Sequence, residues 1–291
     1  MGWSSPNALA VASRRPGSTI TATPGSTFNS AANQQGWFST GVTQDTATPP
    51  VLHFDINVTN PTSLVLYLIG YYGPETSFFN DAIAVTIPTG DLSVTPGTID
   101  ISAQCPGAVA VIADLWGNSA RIVPHGDPSP TSYLPSGNAA QSVICGVSGG
   151  KIDLIAAAGT TPTLYLRGYM RARFFWRSPA VDVSPATAAA FTAVAAGGTY
   201  SDTPVGFLYQ ARGTPNFTVR GPYATTGYNP QKAAQNGSCL AIADGPIGQV
   251  NPATVPFTLA EQAYFTAGAA VAAGPPTAVH SNFAIRTTSQ S

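Results

Sequence analysis

Four arginines fall within TPTLYLRGYMRARFFWRSP, residues 161–179, although the whole chain of 291 residues holds only 12 Lys and Arg. All four have odd numbers, and residues of the same parity lie on one face of a β-strand. Guanidinium groups arranged in this way could bind the carboxylates of a neighbouring strand or subunit, or phosphates. We call the odd-numbered side of this predicted strand the Arg face, and its candidate site residues are Tyr165, Arg167, Tyr169, Arg171, Arg173 and Arg177.

Three interpretations of the Arg face are open. It is a solvated surface on which aromatic rings cover the arginine stems, an interface between subunits, where Arg and Tyr are enriched, or a contact with nucleic acid. The formal net charge of −1 weakens the third interpretation, because a protein that binds phosphates tightly is expected to have a basic surplus. The opposite parity is apolar and is expected to face a core; it comprises Leu164, Leu166, Gly168, Met170, Ala172, Phe174 and Trp176.

A second candidate for chemistry is GVSGG, residues 146–150, which matches the G-x-S-x-G pattern of a nucleophile elbow. That elbow needs a strand before the serine and a helix after it. A strand is predicted before Ser148, but KIDLIA, residues 151–156, follows with the alternation of another strand. The glycines therefore predict a hairpin turn rather than an exposed nucleophile.

A third candidate is HGDP, residues 125–128, where His125 and Asp127 lie two residues apart and Asp114 lies upstream. Metal sites usually need three or four protein ligands at recognisable spacing. Two such residues in a loop rich in Pro and Gly favour an ordinary turn. Since few ionisable side chains remain for acid or base catalysis, we predict no enzyme, no cofactor and no metal site.

The cysteines and the start of the chain bear on its compartment. Cys105, Cys145 and Cys239 are widely spaced without a CxxC pair, which favours buried free thiols over a disulfide or metal role. The first residues lack a basic segment followed by an apolar run, and no stretch approaches the roughly 18 apolar residues of a membrane span. We therefore expect neither a secretory signal nor a transmembrane segment.

Composition predicts the fold class. Charged residues make up 9% of the chain, and Glu and Lys occur twice each, whereas Gly and Pro number 29 and 26. Solvated helices are rich in Glu and Lys, while short runs of Thr, Val, Ile and Tyr between turn residues are typical of strands. The prediction is an all-β protein, an antiparallel β-sandwich of the jelly-roll kind with a second, smaller β-rich C-terminal domain.

Three segments follow from the pattern along the chain. Residues 1–50 are rich in Gly, Ser, Thr, Asn and Pro and predict an extended arm with one strand at 18–22. Residues 51–179 hold about eight strands, the number that a two-sheet sandwich needs. Residues 180–291 predict a C-terminal β-rich domain or, alternatively, an extension that wraps the first domain. Within them, 184–198 is either a short helix or a linker of small residues. The strands predicted in the middle segment are 51–58, 63–72, 83–87, 98–102, 108–116, 141–147, 151–156 and 163–177.

The end of the middle segment resembles the shell domain of single-jelly-roll viral capsid proteins. There a Gly-led strand and turn, here GGKIDLIAAAGTTP, precede a long final strand with alternating aromatics, here TLYLRGYMRARFF, and SP at the domain exit. The resemblance implies a non-enzymatic virion structural protein that self-assembles with copies of itself and with other virion proteins. No membrane partner is expected. It also implies that the C-terminal domain protrudes from the shell.

One departure from those capsid families keeps alternatives open. Their arms are often strongly basic, whereas Arg14 and Arg15 are the cations of residues 1–50. A phage decoration, tail or fibre protein therefore remains an alternative. So does a carbohydrate-binding lectin or adhesin module, because lectins share the jelly roll.

Overall fold

The computed structural model describes residues 75–117, 119–128, 141–172 and 174–183, the positions 39, 41, 46 and 72, and the strands outside these ranges. Every element in this part of the chain is a β-strand, and no helix occurs in it. All strand pairs that form its sheets are antiparallel. The predicted all-β class and the antiparallel pairing are therefore confirmed.

Eight short strands lie between residues 2 and 67. They are β1 (Gly2–Ser4), β2 (Leu9–Arg14), β3 (Thr27–Ser30), β4 (Gln35–Trp37), β5 (Thr43–Gln44), β6 (Leu52–His53), β7 (Asp55–Thr59) and β8 (Val65–Tyr67). Their sheets have the orders β4-β1-β8, β3-β2-β7 and β5-β6. The backbone of β1 and β2 is thus paired with that of β8 and β7, whereas the strand predicted at 18–22 lies outside the described residues.

Seven strands between residues 76 and 170 form two sheets. They are β9 (Thr76–Ala84), β10 (Gly97–Asp100), β11 (Ala110–Trp116), β12 (Arg121–Pro124), β13 (Gln141–Gly146), β14 (Lys151–Ile155) and β15 (Thr163–Met170). Sheet 1 has the order β13-β11-β15-β9, and sheet 2 has the order β10-β14-β12. Consecutive strands of the chain therefore alternate between the two sheets.

Eight further strands form two four-stranded sheets. They are β16 (Phe174–Asp182), β17 (Thr192–Ala195), β18 (Pro204–Gly213), β19 (Phe217–Arg220), β20 (Pro230–Gln231), β21 (Ser238–Asp244), β22 (Ile247–Pro252) and β23 (Phe257–Thr266). Sheet 3 has the order β16-β23-β18-β21, and sheet 4 has the order β17-β22-β19-β20. The helix considered for 184–198 is wrong at 192–195, because these residues pair with β22 as a strand.

Sheets 1 and 2 contribute to one cluster of buried apolar side chains. Val111 and Leu164 of sheet 1 and Ile152 and Leu154 of sheet 2 are fully buried in it. In β10 the alternation is visible residue by residue, since Gly97 and Ile99 are buried while Thr98 and Asp100 are exposed. Burial of this apolar surface stabilises the fold by roughly 25 cal/mol per Å².

Strand β11 is buried on both of its faces, because six of its seven residues, 110–115, are buried. The second cover comes from strands that follow β15. Phe174 of β16 and Leu208 of β18 belong to the same apolar cluster as β11, with 4% and 0% of their surfaces exposed. A Cβ at Gly146 of β13 would lie 2.6 Å from the Cβ of Trp176 in β16. Gly146 lies opposite Ala110, so the sheet 1 face that carries Ala110 is turned toward β16.

Candidate functional site

The arginine-rich stretch is two strands rather than one. Strand β15 ends at Met170 in sheet 1, and β16 begins at Phe174 in sheet 3. The prediction of a single strand over 163–177 is therefore wrong. Arg167 lies in β15, Arg171 lies just after it, Arg177 lies in β16 and is half-buried, and Arg173 lies outside the described residues.

A β-bulge at Arg167 also breaks the predicted parity. Ala113 of β11 lies opposite Leu166, and the next residue back, Ile112, lies opposite Gly168, so Arg167 is the extra residue. Such a bulge reverses which face the following side chains occupy. Tyr165 lies opposite Asp114 and Tyr169 lies opposite Val111, which puts the two tyrosines on opposite faces of sheet 1. The six residues of the Arg face therefore do not share one face.

Arg167 is inside the protein, where it forms an ion pair with Asp114. Its Nε lies 3.4 Å from Oδ2 of Asp114, and the two side chains are 8% and 4% exposed. Both residues lie on the face of sheet 1 that is turned toward β16. A buried guanidinium needs such a carboxylate, because an uncompensated charge in the interior is strongly destabilising.

The carboxyl of Asp114 is not fully hydrogen-bonded. Among the described residues, its Oδ1 and the Oγ of Ser142, the residue opposite it in β13, form no hydrogen bond of good geometry, although the Ser142 hydroxyl is near enough to act to lower the pKa of Asp114. Burial raises the pKa of Asp114 to about 7, although the Arg167 guanidinium acts to lower it. The carboxyl of Asp114 therefore changes its charge near neutral pH.

Burial also raises the pKa of Tyr72, whose hydroxyl is hydrogen-bonded to Ser39.

Among the arginines whose side chains the structure describes, Arg171 is the exposed one. Its side chain is held in a defined position. Its Nη2 donates a hydrogen bond of 2.8 Å to the hydroxyl of Tyr169, and its Cζ lies 5.1 Å from the centre of that ring. The Tyr169 ring is 6% exposed and lies 5.9 Å from the ring of Phe79. The Arg171 N–H also donates to the carbonyl oxygen of Glu75 at 3.1 Å. A fixed, exposed guanidinium of this kind suits a carboxylate or a phosphate.

Ser148 lies in a hairpin turn, as the sequence predicts. Its N–H and carbonyl oxygen both hydrogen-bond to Lys151, at 3.1 and 3.0 Å. The two residues between them, Gly149 and Gly150, have φ values of +58° and +74°, which is the pattern of a type I′ turn. The serine thus joins strands β13 and β14, and the strand-to-helix elbow of a hydrolase is not formed here.

HGDP is also a turn, since the N–H of Asp127 donates to the carbonyl oxygen of Pro124 at 3.2 Å. The partner of His125 is Asp153 of β14, whose Oδ1 lies 2.9 Å from Nδ1 of the histidine. Asp153 also accepts hydrogen bonds from the Gly126 N–H at 3.0 Å and the Thr98 hydroxyl at 2.8 Å. Burial acts to raise the pKa of Asp153, but these hydrogen bonds outweigh it and leave that pKa below its ordinary value. The carboxylate therefore fastens the turn to sheet 2.

Replacing Asp153 with Asn should lower the free energy of unfolding at pH 7 by about 1 to 3 kcal/mol, because buried donors lose their charged acceptor. The folded pKa is depressed, so the contribution of Asp153 is present above its unfolded pKa near 3.8 and is lost as the pH falls through the folded pKa. Urea unfolding at pH 7 and at pH 3 measures this. Asp127→Asn in the same turn is the control, and an equal loss at both pH values would contradict the prediction.

The cysteines and the potential metal ligands are the other reactive groups of interest. Cys105 and Cys145 are buried free thiols, as predicted, and burial raises the pKa of both, that of Cys105 to about 12. The side chain of Cys239 lies outside the described residues. In the part of the chain that the structure describes, no group of three His, Cys, Asp or Glu residues could hold a metal ion.

The described surface also includes two large exposed hydrophobic side chains. Val94 is 78% exposed and Trp116 at the end of β11 is 45% exposed. Within the same described ranges, no helix has the length and apolar character needed to cross a membrane.

Comparisons of the chain with protein-family models, with curated proteins and with solved structures found no match.

Proposed function

We propose that this chain is a non-enzymatic virion structural protein, a capsid shell or capsid-associated component, that acts by self-assembly. The observation that carries the proposal is the pairing of β9 to β15. Strand β9 pairs with β15, β10 with β14 and β11 with β13. These three nested pairs are those of one long hairpin. Its arms also pair sideways, β11 with β15 and β12 with β14, so the hairpin is rolled up.

A long antiparallel hairpin rolled into two sheets is the jelly roll, the fold of viral capsid and lectin domains. Seven strands supply a four-stranded and a three-stranded layer of it, with the buried cluster of Val111, Leu164, Ile152 and Leu154 between them. In this proposal the segment 51–179 includes the shell-type β-sandwich, and the change of sheet at 171–173 marks its end. The resemblance in the sequence at residues 149–175 covers β14 and β15, the last two strands of the roll, and the first two residues of β16.

The surface chemistry is compatible with close packing of copies. The formal net charge is −1 and charged residues are 9% of the chain, so little electrostatic repulsion keeps copies apart. Arg171, fixed on the ring of Tyr169, supplies a positioned cation for a carboxylate of a neighbouring copy or of another virion protein. Contact of this cation with a genome phosphate is the competing use of the same guanidinium.

Electron microscopy of the purified full-length protein over a range of salt and pH tests the proposal. We expect large symmetric particles, and monomers under every condition would overturn it. Closed shells favour a capsid role, whereas tubes or short fibres favour a tail or fibre protein. Glycan binding by a stable monomer, lost in Trp116→Ala, would identify a carbohydrate-binding module instead, because an exposed aromatic ring can stack on sugars.

Replacing Arg171 with Gln should reduce particle yield at least tenfold while the thermal midpoint of the dispersed protein stays within a few degrees. The physical reason is that the exposed charge of Arg171 contributes little to folding but can order a contact between copies. Particle yield is measured by sedimentation, and folding by circular dichroism. Lys151→Gln is the matched control for loss of a cation elsewhere, and equal damage to folding and yield would show an internal structural role.

A further inference from the structure

Strands β16 to β23 repeat the pairing order of β9 to β15. Sheet 1 holds the first, last, third and fifth strands of the first series, in the order β9-β15-β11-β13. Sheet 3 holds the first, last, third and sixth strands of the second series, in the order β16-β23-β18-β21. Sheet 2 has the order β10-β14-β12, and sheet 4 has β17-β22-β19 followed by β20. The outer, middle and lateral pairs of the first roll therefore all have counterparts: β16 with β23, β17 with β22, β18 with β21, β18 with β23 and β19 with β22.

The two series also touch through their equivalent sheets. Phe174 of β16 and Leu208 of β18, both in sheet 3, are buried in the apolar cluster that contains Ile112 of sheet 1. The backbone of Gly146 approaches Trp176 so closely that a Cβ would collide with it. Trp176 also packs against Val123 and Ile155 of sheet 2. Gly146 thus meets β16 directly, and Ile112 and Asp114, on the same face of sheet 1, are buried as well.

We propose that one chain carries two jelly-roll units, 76–170 and 174–266, stacked through their equivalent four-stranded sheets, and contributes both units to the assembly. This arrangement is the single-chain counterpart of an isologous dimer, in which the same patch of each unit meets the other. The partner of the Asp114 face is therefore the second unit of the same chain, and neighbouring copies must use other surfaces. The role in assembly rests on the proposed function, whereas the stacking of the two units does not.

The proposal differs from the protruding domain that the capsid resemblance implies. A domain that protrudes is held by a linker and buries little of the shell unit. Here β15 and β16 are separated by residues 171–173 alone, and the first residue of β16, Phe174, is already in the shared cluster. A short connection and a shared apolar cluster favour two units that move as one body.

Hydrogen exchange of the full-length protein tests the stacking without requiring particles. Leu208→Ala, a change in the second unit, should raise the exchange rate of amides in β11 of the first unit at least tenfold. Gly146→Ala, a change in the first unit, should raise exchange in β16 by a similar factor. Val94→Ala, at a side chain that is 78% exposed, is the control and should leave exchange in β11 and β16 unchanged.

Effects confined to β18 for Leu208→Ala, with β11 unchanged, would overturn the stacking. A particle reconstruction then tests the assembly role, since two stacked sandwiches per chain in one layer are expected. Particles with one sandwich per chain in the shell and a second projecting on a free linker would overturn the inference and leave the virion function intact. Absence of particles together with coupled exchange would refute the virion function and leave the stacking standing.

Discussion

At pH 8, replacing Arg167 with Met should lower the free energy of unfolding by about 3 to 5 kcal/mol, the usual effect of leaving a buried charge without its partner. At pH 5 the same replacement should cost clearly less. The orphaned group is Asp114, which is 4% exposed and whose pKa is about 7 even beside the arginine. Loss of the guanidinium removes the influence that lowers this pKa, so the carboxyl stays protonated to a higher pH.

The sign follows from proton linkage. Asp114 has a folded pKa above its unfolded value of 3.8, so its favourable contribution is fully present below pH 3.8 and is lost as the pH rises through about 7. In the Arg167→Met variant this loss continues to higher pH, and the deficit against the parent protein grows with pH. Urea unfolding at pH 5 and pH 8 measures it.

Two controls define the source of the effect. Asp114→Asn in the Arg167→Met background removes the charge itself and should recover most of the loss at pH 8. Arg171→Met, at an exposed arginine that contacts Tyr169, should change stability by about 1 kcal/mol or less at both pH values. Equal losses at pH 5 and pH 8 for Arg167→Met would show that packing of the side chain, rather than the charge of Asp114, dominates.

Replacing Ile112 with Ala should cost about 2 to 5 kcal/mol, the range for a large apolar side chain removed from a packed interior. Ile112 is 0% exposed in the middle of β11, and its face of sheet 1 is the one that carries Gly146. In the proposed stacking sheet 3 covers this face, so a high cost is expected from the cavity that the shortened side chain leaves.

Val94→Ala is the matched control, since 78% of Val94 is exposed and its truncation should change stability by less than about 0.5 kcal/mol. Val111→Ala probes the opposite face of the same strand, where the side chain is also 0% exposed. Chemical unfolding of the three variants under one buffer gives the comparison. A small cost for Ile112 beside a large cost for Val111 would mean that only one face of β11 is packed.

Much of the strand content could be predicted, because alternation is a local property. The predicted strands 98–102, 108–116, 141–147 and 151–156 overlap β10, β11, β13 and β14 within two residues at each end. Strand β12, RIVP at Arg121–Pro124, was missed since it is short and ends in proline. At β17 the alanines around Thr192–Ala195 predict a helix or a linker, and pairing with β22 overrides their helix propensity.

The candidate site was predicted less well, because parity holds only while a strand has no bulge. The signal that could have revealed the bulge is Gly168, since a glycine within a strand often marks a bulge or a close backbone approach. A Cβ there would meet the carbonyl oxygen of Ser77. The partners Asp114 for Arg167 and Asp153 for His125 depend on strand register between distant segments, which the local pattern does not contain.

The nested pairing of β9 to β15 also governs the order in which the chain can fold. The inner pair, β11 with β13, is available early in synthesis, whereas β9 has no partner until β15 has been made. Pairs between segments so far apart in sequence form slowly, because the intervening loop must first be closed. We therefore expect β9 to be exposed to other nascent chains for longer than any later strand of its sheet, and early aggregation to begin there.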